Sequence, residues 1–326
     1  MKPLLYLSQK DVQECINMEK VIEAVEEGIK ALGMGKAVQP EKIYLNIDKY
    51  NGFVKPMIAY IEPLGAIATK VFTHYPENPK RYNLPTVQAI IMLNDPETGT
   101  PLALMDGTLI TALRTAATTA LAAKYLARKD SKKLGIFGAG VQGKSHLLAF
   151  NQIFKLQEVR IYDIYKGSVE NYIKEMGDKV KIPIIPVDSP YQCVNGADMV
   201  VTATTANEPL VKKDWLTPGM FLAKVGSFQE LDPEIIIKSD KVVVDWWDYV
   251  SHRVRELIKL LNEGKINRES IYAELPEIVA AKKLGRQNDH EIILFISIGM
   301  GVEDAAVAWH VYNEALKMGV GTQLER

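Results

Sequence analysis

The sequence predicts an α/β protein in two parts, a strand-rich α+β domain followed by a domain built on a covered parallel sheet. Three observations predict it. Lys133 to Asp163 reads as strand, glycine turn, helix and strand, through Leu134-Gly135-Ile136-Phe137, Gly138-Ala139-Gly140-Val141-Gln142-Gly143 and Val159-Arg160-Ile161-Tyr162-Asp163. Beyond it, strand segments that are apolar on both faces alternate with helices, as a covered parallel sheet requires. Before it, strand candidates follow one another across turn signals without that alternation.

The glycine turn is G-x-G-x-x-G between strand and helix, with an acidic residue 20 positions after the third glycine. Gly138 permits the tight turn, Gly140 lets the backbone approach a pyrophosphate, and Gly143 lets the helix pack close to the strand. The helix N-terminus offers N–H groups and a partial positive charge to phosphates. Asp163 is placed to accept hydrogen bonds from a ribose diol. A glycine triplet alone is an ordinary flexible loop; with the flanking strand, helix and acid it marks a Rossmann dinucleotide-binding domain. A carboxylate repels a 2′-phosphate, and Ile164 and Tyr165 follow it rather than Arg. NAD is therefore favoured over NADP, which the nearby Lys166 keeps open.

Taken in order, Ser8-Gln9-Lys10-Asp11 resembles a capping box with Asp in the acidic place and starts a short helix. Met18, Val21, Ile22, Val25, Ile29 and Leu32 recur at helical spacing, and Gly33 and Gly35 stop that helix. Strands are predicted over 42–47, 54–61, 66–72, 87–93 and 102–105, the last two joined by the turn Asn94-Asp95-Pro96-Glu97-Thr98-Gly99. A helix over 116–128 leads into the glycine turn. Further strands are predicted over 182–187, 199–204, 220–225, 241–245 and 292–298. A final helix over 303–318 carries Ala305, Trp309, Tyr312 and Leu316 on one face, stops at Gly319, and is expected to pack back on the first domain. The first domain is expected over 1–125 together with 303–326, and the Rossmann domain over 126–302.

Composition excludes several classes of partner. A net charge of −1 supports neither nucleic acid nor an anionic membrane surface. There is no apolar run long enough for a transmembrane helix, and Met1-Lys2-Pro3-Leu4-Leu5-Tyr6 lacks the apolar region of a signal peptide. Cys15 and Cys193 stand far apart, and His74, His146, His252, His290 and His310 form no metal-ligand spacing. A reduced, cytoplasmic, metal-free protein is the expectation.

The first domain holds an unusual set of cations. Lys42, Lys55 and Lys70 lie in, or at the start of, three successive strand candidates. Period-2 alternation places Lys70 on the face of Ala66, Ala68 and Phe72. Arg114 sits among small and apolar neighbours in Leu109-Ile110-Thr111-Ala112-Leu113-Arg114-Thr115-Ala116-Ala117. A solvated sheet face that resists edge pairing accounts for any one lysine. Lys70 and Arg114 fit that reading less well, because a cation among apolar groups needs an anionic partner. The functional alternative is a cationic cup for a small carboxylate substrate facing a nicotinamide. A lysine there, desolvated and near like charges, has a lowered pKa and serves as an acid or base near neutrality.

These motifs resemble the ornithine cyclodeaminase and mu-crystallin family, with archaeal-type alanine dehydrogenase as the branch most alike. The resemblance rests on Lys70-Val71-Phe72-Thr73-His74-Tyr75-Pro76-Glu77-Asn78, Leu84-Pro85-Thr86-Val87, the turn at 93–99, Ala103-Leu104-Met105-Asp106-Gly107 and the segment around Arg114. It continues through the glycine turn, Thr202-Ala203-Thr204-Thr205 and Ser297-Ile298-Gly299-Met300-Gly301-Val302-Glu303-Asp304. It implies that Lys70 is the catalytic lysine and that Arg114 binds the substrate carboxylate or the cofactor phosphates. Lys42 stands where many members have a carboxylate-binding Arg, and the alanine dehydrogenase branch uses Lys there. Lys55 matches a further basic substrate contact. Thr115, Gly138, Ala139, Gly140, Val141, Gln142, Gly143, Asp163, Thr202, Thr204, Val225, Gly226, Ser227 and Gly299 are implied at the cofactor, and a homodimer joined through the strand-rich domain.

One departure stands out. Members typically carry an Asp after a Gly-Ser or Gly-Ala pair, ahead of Glu-Leu; this chain reads Val225-Gly226-Ser227-Phe228-Gln229-Glu230-Leu231. Phe228 occupies the Asp place, and Glu230 aligns with Glu-Leu or substitutes for the missing acid. Cyclodeamination needs a carboxylate for the distal amine, so the departure weighs against it. The expectation is an NAD-dependent oxidoreductase acting on a small amino acid or its imino or keto form, of alanine dehydrogenase or ketimine reductase type. Ornithine cyclodeaminase, an ammonia-lyase with bound NAD, and a non-enzymatic nucleotide or small-ligand binder of mu-crystallin type remain the alternatives.

Overall fold

The computed structural model describes residues 3–325. The chain divides into two units, one running to Arg114 and resuming at Met300, the other spanning Thr115–Gly299.

The first unit begins with β1 (Leu4–Leu7), α1 (Gln9–Cys15) and α2 (Met18–Gly33). Ser8 and Asp11 exchange the two bonds of a capping box at the start of α1. Next come β2 (Ala37–Val38), β3 (Leu45–Ile47), β4 (Gly52–Ile61), β5 (Ala66–His74), α3 (Asn78–Tyr82), β6 (Val87–Asn94) and β7 (Pro101–Asp106). β4 to β7 form an antiparallel meander in which Met57, Lys70, Ile91 and Met105 stand side by side across the sheet. One face of it is buried, through Met57, Ala59, Ala68, Ile91, Leu93 and Ala103, and Lys70 belongs to that face as its alternation predicts.

Two local expectations are corrected. The strand predicted over 42–47 contains only Leu45–Ile47, so Lys42 lies in the loop before it. The helix predicted from 116 is α4 (Thr108–Leu126) and starts much earlier. The side chain of Asp106 accepts the Leu109 N–H at 2.9 Å and so satisfies a donor of the first turn. Arg114 is consequently a helical residue, and the division between the units falls after it, inside α4.

The second unit carries β8 (Lys133–Phe137), α5 (Val141–Ile153), β9 (Glu158–Tyr162), α6 (Lys166–Gly177), β10 (Ile184–Pro186), α7 (Pro190–Val194) and β11 (Met199–Thr202). It continues with β12 (Phe221–Val225), α8 (Glu234–Lys238), β13 (Lys241–Val244), α9 (Trp247–Val250), α10 (Arg255–Asn262), β14 (Ala273–Glu274), α11 (Leu275–Val279) and β15 (Ile293–Ser297). Every strand pairing in this sheet is parallel, in the order β10-β9-β8-β11-β12-β15-β13-β14. β11, β12 and β15 are buried along their whole length, which is why they read as unbroken apolar runs. The strand order reverses direction between β8 and β11, the switch point at which doubly wound sheets bind ligands.

The chain then returns to the first unit with α12 (Gly301–Met318) and β16 (Thr322–Leu324), the latter antiparallel to β1. The first sheet is thus mixed, ordered β16-β1-β7-β6-β5-β4-β2, with β3 also on β4. Small residues let α12 approach closely. A Cβ on Gly301 would lie 2.8 Å from the Ile58 carbonyl oxygen, and one on Gly28 of α2 would lie 2.9 Å from Ala306 Cβ. The predicted class, a Rossmann-type parallel sheet plus a strand-rich α+β unit, is the one observed. Among the described residues no helix is long and apolar enough to cross a membrane.

Candidate active site

In the first unit β4, β5, α4 and α12 bring charged side chains into one buried cluster. Lys70, from the inner face of β5, is fully buried with Nζ 2.6 Å from Asp304 Oδ2. Asp304 also accepts from Arg114 Nε at 3.0 Å, while Arg114 Nη1 donates to Glu303. Glu303 and Asp304 lie in the first turn of α12, where the helix dipole favours carboxylates. Gln39 holds that end in place, its Oε1 accepting the Gly301 N–H at 3.0 Å.

Lys55 comes from the neighbouring strand β4 and is nearly buried, its Nζ 4.8 Å from the centre of the Phe72 ring and 5.3 Å from that of Tyr44. Rings partly replace water around such a cation. Burial, then the charges of Lys42, Lys70 and Arg114, hold the Lys55 ammonium well below the usual lysine range. Lys70 is lowered to about 7, first by burial and next by Arg114, against the pull of Asp304. The four cationic residues singled out in the sequence therefore share one electrostatic environment with Glu303 and Asp304. A lysine near 7 exchanges its proton at neutral pH, as acid–base catalysis requires.

The sequence reasoning assigned no role to Asp304 or Glu303. Their signal was two adjacent acids heading a helix whose following residues, Ala305, Ala306, Val307 and Ala308, are all buried.

In the second unit the expected nucleotide residues gather at the carboxyl ends of adjacent strands. Gly138 follows β8, Asp163 follows β9, Thr202 ends β11 with Thr204 just beyond, Val225 ends β12 with Gly226 and Ser227 just beyond, and Gly299 lies just after β15. Thr115 instead lies in α4, its carbonyl accepting the Thr119 hydroxyl. The three glycines differ as their roles require. Gly138 has φ +102°, and a Cβ on Gly143 would lie 1.9 Å from the Gly138 carbonyl oxygen. Beside Gly140 there is open space. No side chain caps α5, so its first-turn N–H groups, including those of Val141, Gln142 and Gly143, suit an anion.

Asp163 braces this turn, Oδ2 accepting the Ala139 N–H at 2.8 Å and Oδ1 the Tyr165 N–H at 2.9 Å. The Ala139 amide thus donates to Asp163. Each Asp163 oxygen keeps a second lone pair for a ribose hydroxyl. The Gly226 N–H donates to the Ser297 carbonyl and that of Gly299 to Asp245, a buried acid that also accepts the Ser297 hydroxyl. These residues fit a dinucleotide.

Phe228 is half-buried, with the guanidinium carbon of Arg255 6.0 Å from its ring centre. Glu230 does not take the place of the missing acid. It is fully buried, and both its oxygens accept hydrogen bonds from Thr202 or Thr204.

Residues 3–319 match the model of the ornithine cyclodeaminase/mu-crystallin family. The chain belongs to that family. It is 36% identical to the alanine dehydrogenase of Archaeoglobus fulgidus over 98% of each chain. Among solved structures it is similar to the Delta(1)-pyrroline-2-carboxylate reductase of Thermococcus litoralis in complex with NADH and L-proline, at 44% identity and TM-score 0.95, covering 98% of this chain and 99% of that one. It is also similar to an archaeal alanine dehydrogenase dimer with bound NAD, at 36% identity and TM-score 0.92 over 99% of both chains. Its homologues thus include NAD-dependent amino-acid dehydrogenases and imine reductases.

Proposed function

We propose that this chain is an NAD-dependent oxidoreductase that interconverts a small amino acid and its imino or keto form. The observation that carries this reading is Lys70, a fully buried lysine brought to about 7 beside Arg114 and Asp304. It stands in a chain that also holds a complete dinucleotide turn. Lys42, Lys55 and Arg114 bind the substrate carboxylate, and Gly138 to Gly143, Asp163 and the strand ends at Thr202, Thr204, Val225 to Ser227 and Gly299 bind NAD(H). When bound, NAD(H) supplies or accepts the hydride. In the reductive direction Lys70 gives its proton to the substrate nitrogen; in the oxidative direction neutral Lys70 takes it back. The 44% identity to the Thermococcus litoralis pyrroline-2-carboxylate reductase and the 36% identity to the Archaeoglobus fulgidus alanine dehydrogenase support a cyclic imine and a keto acid with ammonia as the substrates to try.

Phe228 separates this reading from cyclodeamination. A diamino acid needs a carboxylate for its distal ammonium, and the position where the family resemblance places that acid is Phe228 in this chain. The outer face of the first sheet supports a homodimer. Pro56, Val71 and Ile90 form one cross-strand row, and Ile58, Thr69, Met92 and Leu104 the next. Ile58, Val71, Ile90 and Met92 are exposed, an apolar patch that a second copy would cover.

The test is turnover by the purified chain with NADH and pyrroline-2-carboxylate, and with NADH, pyruvate and ammonia. NADH consumption with either is expected. No turnover with both, or proline formed from ornithine without net change in NADH, would replace this reading.

A further inference from the structure

At the carboxyl edge of the second unit's sheet, three buried charged residues to which the proposed chemistry gives no part, Lys224, Glu230 and Glu256, are tied to the segments proposed to receive the nucleotide. Glu230 Oε1 accepts the Thr204 N–H at 2.6 Å and the Thr204 hydroxyl at 2.8 Å, and Oε2 accepts the Thr202 hydroxyl at 3.2 Å. The N–H groups of Glu230 and Leu231 donate to Glu256 Oε1 at 2.9 and 3.1 Å. Glu256 Oε2 lies 3.7 Å from Lys224 Nζ, which donates to the Gly226 carbonyl at 2.6 Å. Thr202, Lys224, Glu230 and Glu256 are each no more than 1% exposed.

Buried ionisable groups of this kind cost stability relative to apolar side chains of the same size. What the network secures is the shape of two chain segments, the one leaving β11 and the one leaving β12. The first abuts the glycine turn. A Cβ on Gly138 would lie 2.6 Å from the Ala203 carbonyl oxygen and 3.3 Å from Thr204 Cγ2. Residues 202–204 and Gly138 therefore flank the switch point between β8 and β11.

We propose that Glu230 is a positioning residue for the nucleotide, holding residues 202–204 against the glycine turn in the shape that receives the cofactor. It acts through Thr202 and Thr204 and takes no part in proton transfer to substrate. This inference rests on the reading that the second unit binds NAD(H).

Glu230→Met and Glu230→Gln test it in the full chain. Met fills the space without an acceptor. The Gln carbonyl can accept both Thr204 bonds while its amide donates to the Thr202 hydroxyl. By NADH fluorescence titration and steady-state kinetics, E230M is expected to raise the Kd and KM for NADH about 10-fold, with E230Q within about 3-fold of wild type. The kcat of E230M at saturating NADH is expected to stay within about 3-fold. Thr202→Val serves if E230M does not fold. The Thr202 side chain is fully buried, so a rise in KM for NADH on T202V reports the loss of its bond to Glu230. Unchanged NADH affinity in E230M, or in T202V where E230M is unfolded, overturns the proposal. So does a fall of kcat in E230M and E230Q alike with KM for NADH unmoved. Wild-type protein that binds no NADH overturns the nucleotide reading itself and the inference with it.

Discussion

Asp304→Asn tests whether the buried ion pair sets the proton of the proposed catalytic lysine. Lys70 Nζ and Asp304 Oδ2 stand 2.6 Å apart and both side chains are sealed from water. Burial and Arg114 lower Lys70 to about 7, and Asp304 is the largest influence raising it. Asn keeps the shape and can still accept from Arg114 Nε, but it carries no charge. An opposite charge at such a distance shifts a pKa by about 1–3 units, so D304N lowers Lys70 by that amount. At pH 7 the protonated fraction falls from about one half to about one tenth for a 1-unit shift, and to about one thousandth for 3 units. Because the reductive step uses protonated Lys70, its rate is present below the pKa and lost as pH rises through it. Wild type should lose reductive activity as pH rises through about 7. D304N should lose it at lower pH, about 5- to 500-fold down at pH 7 and recovering in acid. The assay is initial NADH consumption with pyrroline-2-carboxylate, both saturating, from about pH 5 to 9. A D304N profile that coincides with wild type, or moves to higher pH, would refute the link.

Four further outcomes follow from the same geometry. Lys70→Ala should cost about 10²- to 10⁴-fold in kcat while leaving the Kd for NADH unchanged, a split that a binding assay beside the kinetics reads directly. Asp163→Ala should raise the KM for NADH about 10-fold and narrow its preference over NADPH, since the lost carboxylate braces the turn and excludes a 2′-phosphate. Gly143→Ala places a Cβ 1.9 Å from the Gly138 carbonyl oxygen. The helix must then shift, with about 1–3 kcal/mol lost in denaturant unfolding and NADH binding impaired. Val71→Asp puts a charge in the middle of the exposed apolar sheet face and should convert a dimer to monomer by light scattering; a dimer that persists would place the interface elsewhere.

Features confined to one stretch of chain were legible in the sequence. The glycine turn carries its own reasons, since φ at Gly138 and close packing at Gly143 are requirements of neighbouring backbone. The alternation of β5 put Lys70 on the inner face, and unbroken apolar runs marked the strands of the parallel sheet. Local reading failed where a boundary depended on one cap, as at Asp106 and Leu109, and where Lys42 looked like part of a strand that begins only at Leu45.

The sequence by itself determined the α/β class, the dinucleotide turn and the presence of cations that needed anionic company. Only the tertiary structure decided what that company is. Asp304 meets Arg114 across 190 positions of chain, and no local periodicity encodes such a meeting. The same holds for Glu230, whose sequence position left it as the Glu of Glu-Leu or a stand-in for the missing acid, and whose partners, Thr202 and Thr204, only the fold shows. A buried charge takes its character from the partners folding brings to it, and those partners are fixed by packing, not by sequence neighbours.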